Sequence, residues 1–248
     1  MITRGRAVTL MSVALVLVAA GVLLLVRPSG TTHLAIAPAR PAAAATAPAA
    51  PSPVAAKPRA IAKPRATVPH DRVMPAAPTA FRFSGPAFAV NADVCRMPFV
   101  VPLDPPGDQL HTVCWVEKDF GTAPGSDSGT SYVLGHAWAQ QKLVLNPLSE
   151  FATAHMQSQA VLESGHKTYP VPALDKYRVT LTTPRGTLVY SVSRAYLVGK
   201  MEAGFVASLM ADKTPRRVVV ITCAVKNGVD LDQNVIVYAD LISSKRPS

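Results

Sequence analysis

Residues 28 to 79 divide the chain into parts that cannot share one core. The run APARPAAAATAPAAPSPVAAKPRAIAKPRATVP is Ala and Pro with scattered Lys and Arg, and the whole interval holds no aromatic residue. Such a composition buries too little apolar surface to offset the entropy of ordering it. Its frequent prolines bias the backbone toward extended polyproline II, so 28–79 reads as a disordered, semi-rigid stalk. At about 3.1 Å per residue, full extension would carry it on the order of 150 Å.

Ahead of the stalk, AVTLMSVALVLVAAGVLLLV (7–26) is twenty consecutive uncharged residues, nearly all apolar. That is the length needed to cross a hydrocarbon core as a helix. Arg4 and Arg6 precede it, and Arg27 with Pro28 ends it. A cleaved signal peptide also starts basic, but its apolar core is shorter, about 7 to 15 residues. The small-residue pairs after Pro38 leave cleavage open. The favoured reading is a transmembrane anchor over 1–27, single-pass in the cell membrane, with the N-terminus inside and the bulk of the chain outside.

The formal net charge of +10 belongs mostly to this N-terminal part: nine of the 25 Lys and Arg fall in residues 1–72, against one acid, Asp71. That basicity suits anionic lipid headgroups or wall polymers. From residue 80 onward the charges nearly balance, so no nucleic-acid partner is expected. Residues 80–248 make one domain of ordinary size.

Within that domain the pattern is strands and turns. TSYVLGHAW (130–138) follows a Gly/Ser/Asp-rich loop. KYRVTLTT and GTLVYSVSRAYLVG are joined by Pro184-Arg185, a hairpin signature. RRVVVITCAV and NVIVYADLI are separated by a loop with a turn at Asn227-Gly228. In LVYSVSRAYLV, alternation puts Leu188, Tyr190, Val192 and Arg194 on one face. Two stretches read as helical: 148–163, with Ser149 as its cap, and 201–213. Many short strands with one or two helices indicate an antiparallel barrel or sandwich.

The chemistry must come from few residues. There is no glycine-rich phosphate loop. The six histidines (33, 70, 111, 136, 155 and 166) do not cluster with cysteines at metal-ligand spacing, so no metal or other cofactor is expected. SDSG (126–129) and ATAH (152–155) stand in the wrong order and too close together for a trypsin-like triad. Three cysteines are an odd count for an exported domain. Cys95 and Cys114 flank a turn-rich segment and either form a disulfide or stay as two thiols. Cys223, in VVVITCAV, is left over, and is either a packing residue on an apolar strand or a nucleophile. A cysteine nucleophile needs a partner that favours its thiolate and later protonates a leaving amine, which imidazole can do near neutral pH. His136 is the best placed by context, at a strand end in Leu134-Gly135-His136-Ala137-Trp138. Its alternative role is a satisfied core histidine.

These residues, in order, resemble a known family. Trp115, Ala123-Pro124-Gly125, Gly129, Tyr-Val-Leu-Gly-His136, Val-Ile-Thr-Cys223 and Asn-Val-Ile-Val-Tyr-Ala239 look like a sortase, and most like the sortases of actinobacteria. The likeness spans about residues 85 to 242. It implies an all-β fold, an eight-stranded closed β-barrel with one or two short helices. It also implies a cysteine transpeptidase, with Cys223 and His136 catalytic. Cys223 would cleave a C-terminal sorting signal through a thioacyl intermediate, and His136 would protonate the departing amine. The implied partners are secreted proteins that bear such a signal, and a peptidoglycan precursor or other amine acceptor. The catalytic domain would stand outside the cytoplasm.

One departure from the family pattern matters. Sortases carry an arginine at the start of the strand after the cysteine strand, and here that region reads Val229-Asp230-Leu231-Asp232-Gln233-Asn234. Asp232, Gln233 or Asn234 takes its place by alignment, and Gln233 and Asn234 are amides that can contact an oxyanion without charge. Arg194, on the preceding hairpin, is a further candidate for that contact. Losing one oxyanion donor typically costs on the order of 100-fold in turnover. The competing reading is a catalytically impaired domain that keeps the groove and binds cell-envelope proteins.

Overall fold

The structure is a computed structural model that describes residues 72–247. The apolar run 7–26 and nearly all of the stalk lie outside the described residues. No described helix is long and apolar enough to cross a membrane.

Ten strands and one helix follow in chain order: β1 (Ala80–Ser84), β2 (Ala89–Pro98), β3 (Thr112–Lys118), β4 (Thr130–Leu134), α1 (Asn146–His155), β5 (Val161–Glu163), β6 (His166–Pro170), β7 (Arg178–Thr183), β8 (Gly186–Gly199), β9 (Arg217–Lys226) and β10 (Val229–Lys245). Eight of them close a ring in the order β1-β2-β3-β4-β9-β10-β8-β7, with β7 back on β1. Closure leaves no unpaired edge in the ring. The β5–β6 hairpin hangs on β8 outside it.

The barrel is closed and eight-stranded, as the resemblance implies, but it is mixed and not purely antiparallel. β2 runs parallel to β3, and β4 parallel to β9. A parallel pair needs a crossover of a dozen or more residues. Between β2 and β3 that crossover is the proline-rich loop 99–111, and it matters at the site.

Two apolar clusters lie on either side of the sheet. Phe81, Phe83, Val133, Leu188, Tyr190, Val218, Val220, Val235 and Val237 fill the barrel. Tyr132, Leu134, Tyr196, Val198, Ile221 and Ile236 lie on the outer face and are covered by Ala203, Val206 and Leu209 from the segment after β8. β9 is therefore buried on both faces over most of its length, and this explains its near-continuous apolar run. Packing also reaches back toward the stalk: Val73 is 1% exposed, within the barrel cluster.

Both turn readings hold. Pro184 and Arg185 form the two-residue loop between Thr183 and Gly186. Asn227 and Gly228 both take positive φ between Lys226 and Val229, the hairpin geometry an Asn-Gly pair favours.

The helix readings need correction. α1 starts earlier and stops at His155, and Ser149 lies inside it, not at its cap. The last residues of the expected helix turn outward, and Val161 to Glu163 pair with β6; strand pairing overrides a weak helical pattern. Residues 201–213 hold only turns and one short 3-10 segment, Ala203–Phe205. Their amide hydrogen bonds mostly close on residue i−3, which gives Ala203, Val206 and Leu209 their three-residue spacing. Gly204 further weakens any α-helix there.

Candidate functional site

Alternation on β9 decides where Cys223 points. Val218, Val220 and Ala224 enter the barrel; Val219 and Ile221 join the outer cluster, and Cys223 follows them on the outer side. It is half-buried and is the free cysteine among the described residues. Across the sheet, Cys223 is paired with Asn234 of β10, and Asn234 with Val198 of β8.

The parallel pairing of β4 with β9 supplies the other neighbour. Thr130 lies beside Arg217 and the register runs without a slip to Leu134 beside Ile221. The Gly135 amide then donates to the Ile221 carbonyl at 3.2 Å. His136 follows two residues after Leu134, just past the end of β4, and Cys223 two residues after Ile221 on β9. Tyr132 and Leu134, the residues of β4 that precede it, are in the outer cluster. Gly135 is needed for this approach, because a Cβ there would sit 2.7 Å from Leu145 and 2.9 Å from Val113.

The loop after His136 is held by one buried side chain, Asn146. Its Oδ1 accepts from the amides of Trp138 at 3.0 Å and Leu143 at 2.8 Å, and its Nδ2 donates to the Trp138 carbonyl at 2.9 Å. The His136 carbonyl accepts from the Leu145 amide at 3.0 Å. From α1, Ser149 Oγ donates to the Cys223 carbonyl at 2.8 Å and accepts from the Val225 amide at 2.7 Å. The helix thus takes up backbone groups that flank the cysteine. Sequence reasoning missed Asn146 and Ser149 in these roles; Asn146-Pro147, a turn-then-helix signal, was the available clue.

The polar surroundings are unequal. His136 Nε2 is 3.1 Å from the Pro105 carbonyl and 3.2 Å from Asp104 Oδ1, both on the loop 99–111. The Asp230 carboxylate accepts from the Ala139 amide at 2.9 Å. Burial pushes the Cys223 thiol above its ordinary pKa; Lys200 pulls it down, and Asp230 and Asp104 push it up. Desolvation disfavours the thiolate, and the net direction is upward.

The remaining sequence candidates separate. Asn234 is directly across from Cys223. Gln233 pairs with Gly199, beside a bulge between Asp230 and Asn234. Arg194 does not reach Cys223. It pairs with Tyr238, two rows from the Asn234 row, and its guanidinium is bound to Glu163 and stacked 4.6 Å from the Tyr196 ring. A register shift at Ser193 turns Arg194 away from the Leu188–Tyr190–Val192 face to the outer face, against the simple alternation reading. Cys95 and Cys114 are joined in a disulfide across the parallel β2–β3 pair, with Cα atoms 4.4 Å apart. The other described histidines are engaged elsewhere: His111 with Asp108, His155 with the Phe151 carbonyl, and His166 stacked on Phe205.

The sequence model for the Sortase domain matches residues 86–242, more than half of the chain. The chain belongs to the sortase family. Among curated protein sequences none matches it. Several solved sortases resemble it at low identity. Sortase A of Listeria monocytogenes is 13% identical over 69% of this chain and 92% of that one, with a TM-score of 0.42. The lid mutant of Corynebacterium diphtheriae sortase A is 15% identical over 67% and 71%, with a TM-score of 0.42. Streptococcus pneumoniae sortase C-3 is 11% identical over 70% and 66%, with a TM-score of 0.43. In this sortase domain a half-buried thiol on β9 and an imidazole just past the end of β4 follow adjacent parallel strands.

Proposed function

We propose that this sortase is a cysteine transpeptidase working through Cys223 and His136, anchored by residues 7–26 on the outer face of a cell membrane, with its nearest kin among actinobacterial sortases. The Cys223 thiolate attacks the carbonyl carbon of a peptide bond in a C-terminal sorting signal, and the C=O electrons move onto oxygen. As the oxyanion collapses, the C–N bond breaks and the His136 imidazolium gives its proton to the leaving amine. The thioester is then attacked by an incoming amine, from a peptidoglycan precursor or similar acceptor. His136 takes that amine's proton, and the C–S bond breaks to restore the thiolate.

The observation that carries this reading is the unbroken β4–β9 register, which runs to Leu134 beside Ile221 and the Gly135 amide on the Ile221 carbonyl, so that the segments carrying His136 and Cys223 leave the same end of two adjacent strands. For His136 to act on substrate, Asp104 and Pro105 must withdraw from Nε2. The test is intact-mass analysis of the protein incubated with sorting-signal peptides and an amine acceptor. A peptide adduct that is lost in Cys223→Ala, and a transfer product that is lost in His136→Ala, are expected. No adduct with any peptide, while Cys223 still reacts with small alkylating reagents, would overturn the reading in favour of an envelope-protein binding domain.

A further inference from the structure

Attack on a carbonyl moves negative charge from sulfur to oxygen, in a site where two carboxylates, Asp104 and Asp230, already oppose the thiolate. A half-buried anion in that position needs a cation or several donors. Position 194 does not supply one, because Arg194 is committed to Glu163. The outer-face row through Cys223 points to another residue. Cys223 pairs with Asn234, Asn234 with Val198, and two residues beyond Val198 on the same side of β8 is Lys200.

Lys200 is held at this place by its backbone. Gly199 pairs with Gln233, and the Lys200 amide donates to the Asp232 carbonyl at 3.3 Å. The turn is set again by the Glu202 amide on the Gly199 carbonyl at 3.0 Å. Lys200 is therefore two strands across and two residues along from Cys223, about 12 Å in backbone, a gap its long flexible stem can shorten. The β10 bulge between Asp230 and Asn234 lies between them. Lys200 is exposed and forms no ion pair among the described residues, although Glu202 and Asp232 are close in the chain. Among the described residues it is the one cation whose charge acts on the Cys223 thiol.

We propose that Lys200 is the catalytic cation of this site, stabilising the Cys223 thiolate and then donating a hydrogen bond to the oxyanion formed when that thiolate attacks a peptide carbonyl. The assignment rests on the transpeptidase reading for its second half only. Lys200 keeps its own proton throughout, and proton transfer to the leaving amine stays with His136.

Full-length protein carrying Lys200→Met, Lys200→Arg or the distant control Lys245→Met decides this in two arms. The first follows the rate of Cys223 alkylation by iodoacetamide against pH, which needs no substrate. Lys200→Met is expected to move the inflection to higher pH and slow alkylation at neutral pH several-fold, with Lys200→Arg and Lys245→Met near the parent. The second follows peptide turnover. Lys200→Met is expected to lose about 100-fold in kcat with little change in KM, and Lys200→Arg to recover most of it. If the parent turns over no peptide, the transpeptidase reading fails while the alkylation arm still decides the thiolate role. If Lys200→Met matches the parent in alkylation profile, the assignment is wrong whatever the peptide arm shows.

Discussion

Asp104 Oδ1 lies 3.2 Å from His136 Nε2, beside the Pro105 carbonyl at 3.1 Å. The nitrogen that faces the loop is thus already engaged by the protein, and one of the engaging groups is an anion that also disfavours the Cys223 thiolate. Replacing Asp104 by Ala removes both effects. Alkylation of Cys223 at neutral pH should rise by about threefold, a modest change because the carboxylate is largely exposed and screened. An unchanged or slower rate would show that the loop does not restrain the site.

The pH dependence follows from the same groups. Burial raises the Cys223 thiol above its ordinary value of 9.0, so the thiolate is the minor form at neutral pH. Reactivity should therefore climb with pH and inflect above the ordinary thiol range. Asp104→Asn or Asp230→Asn should move the inflection down, since each removes a negative charge that opposes ionisation. Titrating iodoacetamide rates from neutral to alkaline pH checks both the position and the direction.

Ser149 and Thr222 make an opposed pair around the cysteine. Ser149→Ala strips the Val225 amide and the Cys223 carbonyl of a buried partner and should cost about 1–3 kcal/mol. Thr222 Oγ1 is buried without a hydrogen-bond partner. Thr222→Val keeps the shape and removes that unpaired hydroxyl, so it should be neutral or stabilising by about 1 kcal/mol. Denaturant melts of the two variants should shift in opposite directions or, for Thr222→Val, not at all.

The disulfide ties both ends of the crossover that carries Asp104. Pro106 O is 3.5 Å from Cys114 Sγ and 3.8 Å from Cys95 Sγ, so the loop folds back on the bond it spans. Substituting both cysteines by Ser should lower stability by about 2–4 kcal/mol. It should also free the loop, so that Cys223 alkylates faster than in the oxidised parent. Paired melts and alkylation rates with and without the bond would reveal either effect.

Much of the fold was written in local pattern. The Pro184-Arg185 and Asn227-Gly228 turns, the alternating strands and the order of the His136 and Cys223 segments are short-range features that a chain displays before it folds. They specified a β-barrel and, through the family likeness, the pair proposed to be catalytic, because side-chain alternation and turn chemistry act over a few residues. What only the tertiary structure decided depended on contacts between distant segments. The parallel β4–β9 pairing brought the segment that leads into His136 alongside the cysteine strand, and the 99–111 crossover brought Asp104 to His136. A one-residue slip at Ser193 sent Arg194 to Glu163 and put Lys200 on the same side of β8 as Val198, which shares the row of Cys223. No local signal could report these, since a bulge shifts every side chain beyond it to the opposite face, and that shift is fixed by the strand on the other side of the ladder.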